Sequence, residues 1–419
     1  MTANSHLGTQ DGRDLDDVEV VRRHLLPSTR ADAPVVARQV GARIEATDGS
    51  VWLDAASGGF GAGHPTVVRR LTEQAGRAAL SSRILVSRQL AEAVSALHEL
   101  CPAPLTVSYL CNSGAEALDA ALKLAKGTHP TRRTVLGFAG ADHGTLTHGL
   151  SLTHGFALLP DQPLRPVTVP PERPDELIDR VSRNVAAVVV APAAPGRRLA
   201  DLPASWWNRL RAACDTTGVL LVLDERLTGP ARLGTDLGVT QLPVPPDALV
   251  LGETLGADAV PVGCMVTSRA AFDRVYARRN PSLHGSTFGA NPLSAVAVSA
   301  VLAAMADGEL TRRQRKVGML AHRALAPLAA TTVIDVGADG SLIWLRTGHP
   351  ATARALVDEL LRERVLVRPP DGDVVSVLPP LTAAADDVTD LLARVVAAAR
   401  RLDNERPGER HADGTEVPA

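Results

Sequence analysis

A chain of 419 residues with 45% apolar side chains has material for a large core, and it exceeds the usual size of one domain, so about two globular units are expected. Its 44 basic and 46 acidic residues are interspersed and leave a formal charge of -2, which excludes the one-signed footprint of a nucleic-acid or membrane-surface binder. Cys101, Cys111, Cys214 and Cys264 lie in apolar surroundings without ligand or redox-pair spacing, so reduced core thiols are expected, with no disulfide and no metal.

Residues 1–17 are polar and acidic without an apolar core, and they read as disordered. No run approaches the roughly 18 apolar residues of a spanning helix, so the cytoplasm is the expected compartment. Residues 18–75 are read as an N-terminal segment that joins the smaller domain, and residues 76–305 as the larger one. Within the larger domain, Val185 to Val190 and Val219 to Leu223 are apolar runs without period-two alternation, which is how strands covered on both faces of a parallel sheet read. Ala204 to Thr217 carries a helical pattern and Gly218 its stop. From Gly308 the order changes. Strands are expected near Ser341 to Leu345 and Val374 to Leu378, with helices over Ala351 to Arg364 and Ala384 to Leu402. Residues 306–403 thus form a small α+β domain, and the charged tail 404–419 reads as disordered. The fold class is α/β: a three-layer large domain on a mainly parallel sheet, plus the small α+β domain.

Three places carry candidate chemistry. Ser113 and Glu116 have the spacing of a capping box at a helix start, and Gly114 lets backbone amides approach an anion, so the site is either a phosphate cradle or a plain cap. Asp224 ends a buried strand at the carboxyl edge of the sheet, where open α/β folds place ligands; the alternative is a structural carboxylate. His143 and His148 in DHGTLTHGLSLTH (142–154) are candidate acid–base groups near neutral pH, whereas His154 reads as an exposed loop histidine.

Several segments in order resemble class III aminotransferases, enzymes of fold type I (the aspartate aminotransferase-like group) that use pyridoxal phosphate (PLP), in particular the ornithine, acetylornithine and putrescine aminotransferases. ATDGSVWLD (46–54), CNSGAEA (111–117), LDERLTG (223–229) and HGSTFGANP (284–292) are similar to the family's opening, helix-start, strand-end and cross-dimer motifs. PDALVLGETLGADAVPVG (246–263) resembles the PLP-lysine segment, with Glu253 in the lysine column. The resemblance implies a vestigial cofactor site at Ser113, Gly114, Ala115, Asp224, Ser286 and Thr287. Asp224 would face the pyridine nitrogen, and Thr287 would reach the phosphate of a neighbouring subunit, which implies a dimer with sites at its interface.

Other columns depart from the family. A carboxylate at Glu253 cannot form an imine, and the chain's lysines are Lys123, Lys126 and Lys316. The two residues that sandwich the PLP ring in relatives are Asp142 and Arg226, from which an Asp142 to Arg226 salt bridge across the slot is expected. Carboxylate crowding around Glu253, Asp224, Glu225 and Asp142 is expected to raise at least one pKa. The resulting expectation is a repurposed, PLP-independent biosynthetic enzyme of proton-transfer, elimination or cyclisation type, with Glu253, Asp142, Arg226 and His143 or His148 as its catalytic groups. No cofactor is expected, or PLP only if bound noncovalently. The partners are a small-molecule substrate and a second copy of the chain, with neither nucleic acid nor membrane. An inactive subunit paired with an active aminotransferase, or a residual PLP-binding aminotransferase, are the alternatives.

Overall fold

The structure, a computed structural model, describes residues 17–24, 34–81, 85–155, 162–194, 196–277 and 284–405. Expected disorder at 1–17 and 404–419 falls outside these residues, except that Asp17 opens a helix (Asp17–His24) and 404–405 close another (Ala385–Glu405).

A seven-stranded sheet forms the centre, in the order Val107–Cys111, Gly263–Thr267, Ala248–Leu251, Leu220–Glu225, Val185–Val190, Thr134–Phe138, Arg165–Val169. Leu220–Glu225 pairs in parallel with both its neighbours, and Gly263–Thr267 is antiparallel to both of its own. Every residue of Val185–Val190 and of Leu220–Glu225 is buried. Period two is nonetheless present, as a split between two apolar layers. Val188, Val190, Leu221, Leu223, Leu249 and Leu251 face one layer with Trp206, Trp207 and Leu210 of the helix Ala204–Thr217. Ala187, Val189, Leu220, Val222, Ala248 and Val250 face the other, against Leu118, Leu122 and Leu124 of the helix Gly114–Thr128. Two apolar faces remove the polar alternation that marks a half-exposed strand, and each fully buried Val or Leu contributes roughly 1.5–3 kcal/mol.

The helix Ala204–Thr217 has the expected bounds, and Gly218 ends it in the left-handed region at φ 71°. The expected strand over Val219 to Leu223 sits one residue later and runs on through Asp224 and Glu225. A third apolar cluster belongs to the C-terminal third of the chain. There Asp335–Asp339, Leu342–Arg346 and Val374–Val377 form an antiparallel sheet, packed with the helices Glu309–Leu325, Pro350–Arg362 and Ala385–Glu405. The N-terminal strands Val36–Val40, Arg43–Ala46 and Val51–Asp54 join Val365–Leu366 in a further sheet, the last pairing being parallel.

Candidate active site at the carboxyl edge of the sheet

Register brings three chain segments to one place. Glu225 lies level with Leu251 across the parallel pair, so Arg226 and Gly252 leave the sheet side by side. Cys111 lies level with Gly263 across the antiparallel pair, so the turn Asn112–Gly114 leaves beside them. Close approach here requires glycine. A Cβ on Gly263 would lie 2.1 Å from the Ser113 carbonyl oxygen, and one on Gly252 would lie 2.7 Å from the Arg226 carbonyl oxygen.

Ser113 caps the helix Gly114–Thr128, its hydroxyl accepting from the Glu116 amide at 3.1 Å. The Glu116 carboxylate reaches back one residue further than in a simple capping box, to the Asn112 amide at 3.1 Å. The cap is thus formed, and a carboxylate of the same chain also sits on the helix start: the Gly114 amide donates to Glu253 Oε1 at 2.9 Å. The Glu253 side chain itself is exposed.

Asp224 is buried and doubly held. Arg226 Nε donates to Oδ1 at 2.9 Å and Nη2 to Oδ2 at 2.9 Å, while His143 Nδ1 meets Oδ2 at 2.8 Å. Burial pushes the Asp224 carboxyl up, but the Arg226 guanidinium and the His143 hydrogen bond outweigh it and hold the group well below the usual carboxylate range. Arg226 therefore pairs with Asp224, which corrects the expected Asp142 to Arg226 salt bridge. Its one contact with Asp142 is Nη2 to the backbone carbonyl at 2.9 Å. The Asp142 carboxylate turns outward, accepts from the Gly144 amide at 2.8 Å and lies 3.8 Å from Arg368. The physical reason is desolvation: a carboxylate 2% exposed gains far more from a guanidinium than one 56% exposed does.

Arg226 lies between two glycines. A Cβ on Gly114 would be 2.7 Å from its Cδ, and one on Gly144 would be 2.6 Å from its Nη1. Ala115 lines the same wall.

At Glu225, burial more than crowding raises the carboxylate. Glu225 is pushed up to about 7 by desolvation, and the Gly238 and Val239 amides, donating at 2.7 and 2.6 Å, hold it back only in part. Its nearness to Asp224 is the smallest cause.

His143 and His148 separate in role. His143 is fully buried, and with Nδ1 on Asp224 its Nε2 has no hydrogen-bond partner among the described residues. His148 lies in the helix Thr147–His154 and lines a cavity of about 450 Å³ with Asp119, Leu122 and Gln162. Burial pushes the His148 pKa below its ordinary value. Ser286 meets the Asn112 amide side chain, which ties the loop after His284 to the helix start, and Thr287 beside it is exposed. The signal missed in the sequence is Glu253 to Gly114, a contact across 139 residues that no local spacing reports.

The chain matches the Aminotransferase class-III family over residues 28–399, and it belongs to that family. It is 31% identical over 398 residues to the acetylornithine aminotransferase of Methanopyrus kandleri, spanning 93% of this chain and 99% of that protein. It is 27% identical over 373 residues to ornithine aminotransferase 1 of Staphylococcus aureus, spanning 86% and 93% respectively. Among solved structures, the Toxoplasma gondii ornithine aminotransferase crystallized with oxidized glutathione superposes with a TM-score of 0.78 at 23% identity, covering 93% of this chain and 95% of that one. The fold is that of the fold type I, PLP-dependent aminotransferases.

These relationships correct the expectation of no cofactor. Membership in the family, together with the PLP reported at the active site of the Toxoplasma enzyme, makes PLP the cofactor expected of this chain. The residues that the resemblance pointed to lie at one edge: the helix start at Gly114, the Asp224 carboxylate, and the Ser286–Thr287 loop, tied to the helix start through Asn112. As arranged, two of them are already engaged. Arg226 takes both oxygens of Asp224, and Glu253 takes the Gly114 amide.

Proposed function

We propose that this chain is a divergent class III aminotransferase-family enzyme with PLP as its cofactor, in which Glu253 stands at the column of the Schiff-base lysine. Its own acid–base groups then serve proton transfer, of elimination or cyclisation type, on a small biosynthetic intermediate. The observation that carries this reading is the Glu253 carboxylate on the Gly114 amide at 2.9 Å, at the mouth of the site, where an imine-forming chain would present an amine. His143 supports it from behind. Its Nδ1 on Asp224 fixes the tautomer, which leaves Nε2 free to accept a proton. Serving as the electron sink for carbanion chemistry is what PLP supplies when bound.

The test is amino transfer from ornithine and N-acetylornithine, the compounds after which the relatives are named, to a keto acid in the presence of PLP. The expected result is no transfer by the wild type. Turnover comparable to that of an ordinary aminotransferase would overturn the reading.

A homodimer is proposed with it. Thr287 is exposed and Phe288 is 54% exposed on the loop that Ser286 anchors, which favours a loop that packs into another subunit. The same exposure favours a second reading, in which the chain completes the site of an active, lysine-bearing paralogue. Co-purification with such a paralogue would support that reading, and a homodimer indifferent to it would exclude it.

A further inference from the structure

Arg226 and Glu253 occupy two separate parts of the site by two separate interactions. Arg226 carries a planar cation, its stem against Gly114 and its Nη1 end against Gly144, with its Nε and Nη2 on the Asp224 carboxylate. Glu253 is an anion seated on the Gly114 amide at the start of a 15-residue helix. The first is a flat, positively charged group facing a buried carboxylate, which is the requirement of a protonated pyridine ring. The second is an oxyanion on a helix-start N–H, which is the requirement of a phosphate ester. The chain thus places its own charges on the two polar handles of one ligand.

We infer that Arg226 and Glu253 are built-in competitors for PLP: each must be displaced before the cofactor seats, Arg226 by the ring and Glu253 by the phosphate. This rests on PLP being the cofactor and adds how its binding is governed. Displacement has different causes at the two ends. A phosphate dianion and the Glu253 carboxylate cannot share one N–H, because like charges at hydrogen-bond range repel. The ring nitrogen and the Arg226 guanidinium cannot share the Asp224 carboxylate in this arrangement, because Arg226 donates to both of its oxygens. Asp224 has a second partner in His143, which stays in place when Arg226 leaves and keeps the carboxylate oriented.

Two variants and two ligands separate the ends. PLP and its phosphate-free form, pyridoxal, are titrated by absorbance and by equilibrium dialysis into the wild type, Glu253→Gln, Arg226→Gln and the double variant, each checked for folding by circular dichroism. Glu253→Gln is expected to bind PLP about tenfold or more tightly than the wild type while leaving pyridoxal unchanged, because it removes a charge-assisted hydrogen bond that competes only with phosphate. Arg226→Gln is expected to tighten both ligands. If Arg226→Gln fails to fold, Glu253→Gln carries the test alone. Affinities equal to or weaker than the wild type in both variants overturn the competition and leave the PLP assignment standing. PLP binding in none of the folded proteins overturns both.

Discussion

Arg226 donates to both carboxylate oxygens of Asp224, its neighbour two residues back, with Nε to Oδ1 and Nη2 to Oδ2 each at 2.9 Å. The pair stands at the end of the strand Leu220–Glu225, where the backbone has left the sheet and a long side chain can fold back over the last buried residue. The buried carboxylate of the site is thereby paired from within the same chain segment.

Removing one partner of this pair leaves a buried charge. Arg226→Val is expected to destabilise the protein by about 3–5 kcal/mol in urea unfolding, since Asp224 is 2% exposed and would keep only His143 and the backbone amide of residue 226. Adding Asp224→Asn should restore most of the loss. A double variant as unstable as the single would show that the pair contributes through packing instead of charge.

Glu225 sets a pH dependence with a definite sign. Its folded-state pKa of about 7 lies above the ordinary 4.5, so the folded protein binds this proton more tightly than the unfolded chain does. Stability from this group is full below the ordinary pKa and is lost as pH rises through about 7. Relative to Glu225→Gln, the wild type should therefore lose stability between roughly pH 5 and pH 8, read as the difference in melting temperature across that range. A constant difference would remove Glu225 from the titration.

Gly263 holds the helix start against the sheet. Gly263→Ala puts a methyl group 2.1 Å from the Ser113 carbonyl oxygen, a backbone atom that cannot rotate away. A loss of roughly 1–3 kcal/mol is expected, together with faster amide exchange at Gly114 and Glu116, the first residues after the cap. Unchanged exchange at those amides would mean that the sheet, and not the helix, absorbs the strain.

Much of the fold was legible. Ala204–Thr217 could be read to the residue because Gly218 supplies a left-handed stop, and Val185–Val190 because an unbroken β-branched run has few other places to go. The edges of the site were legible where a local signal exists, as in the Ser113 cap and the strand-end Asp224. The pairings were not. Arg226 was assigned to Asp142 on charge alone, but the choice between two carboxylates turns on which is desolvated, and burial is a property of the packed chain. Contacts of His143 with Asp224 across 81 residues and of Glu253 with Gly114 across 139 depend on strand order, which no spacing encodes. The absence of a cofactor was a misreading for a related reason. It rested on the carboxylate at Glu253, which cannot form an imine, whereas the family relationship makes PLP the expected occupant.

That a carboxylate and not an amine faces the site at position 253 is tested most directly by trapping. The protein is incubated with one equivalent of PLP, reduced with borohydride, and examined by intact mass and peptide mapping. The expected result is an unmodified wild type and a Glu253→Lys variant carrying one pyridoxyl-phosphate group at residue 253. A stoichiometric adduct on a single lysine of the wild type, whether Lys123, Lys126 or Lys316, would contradict it.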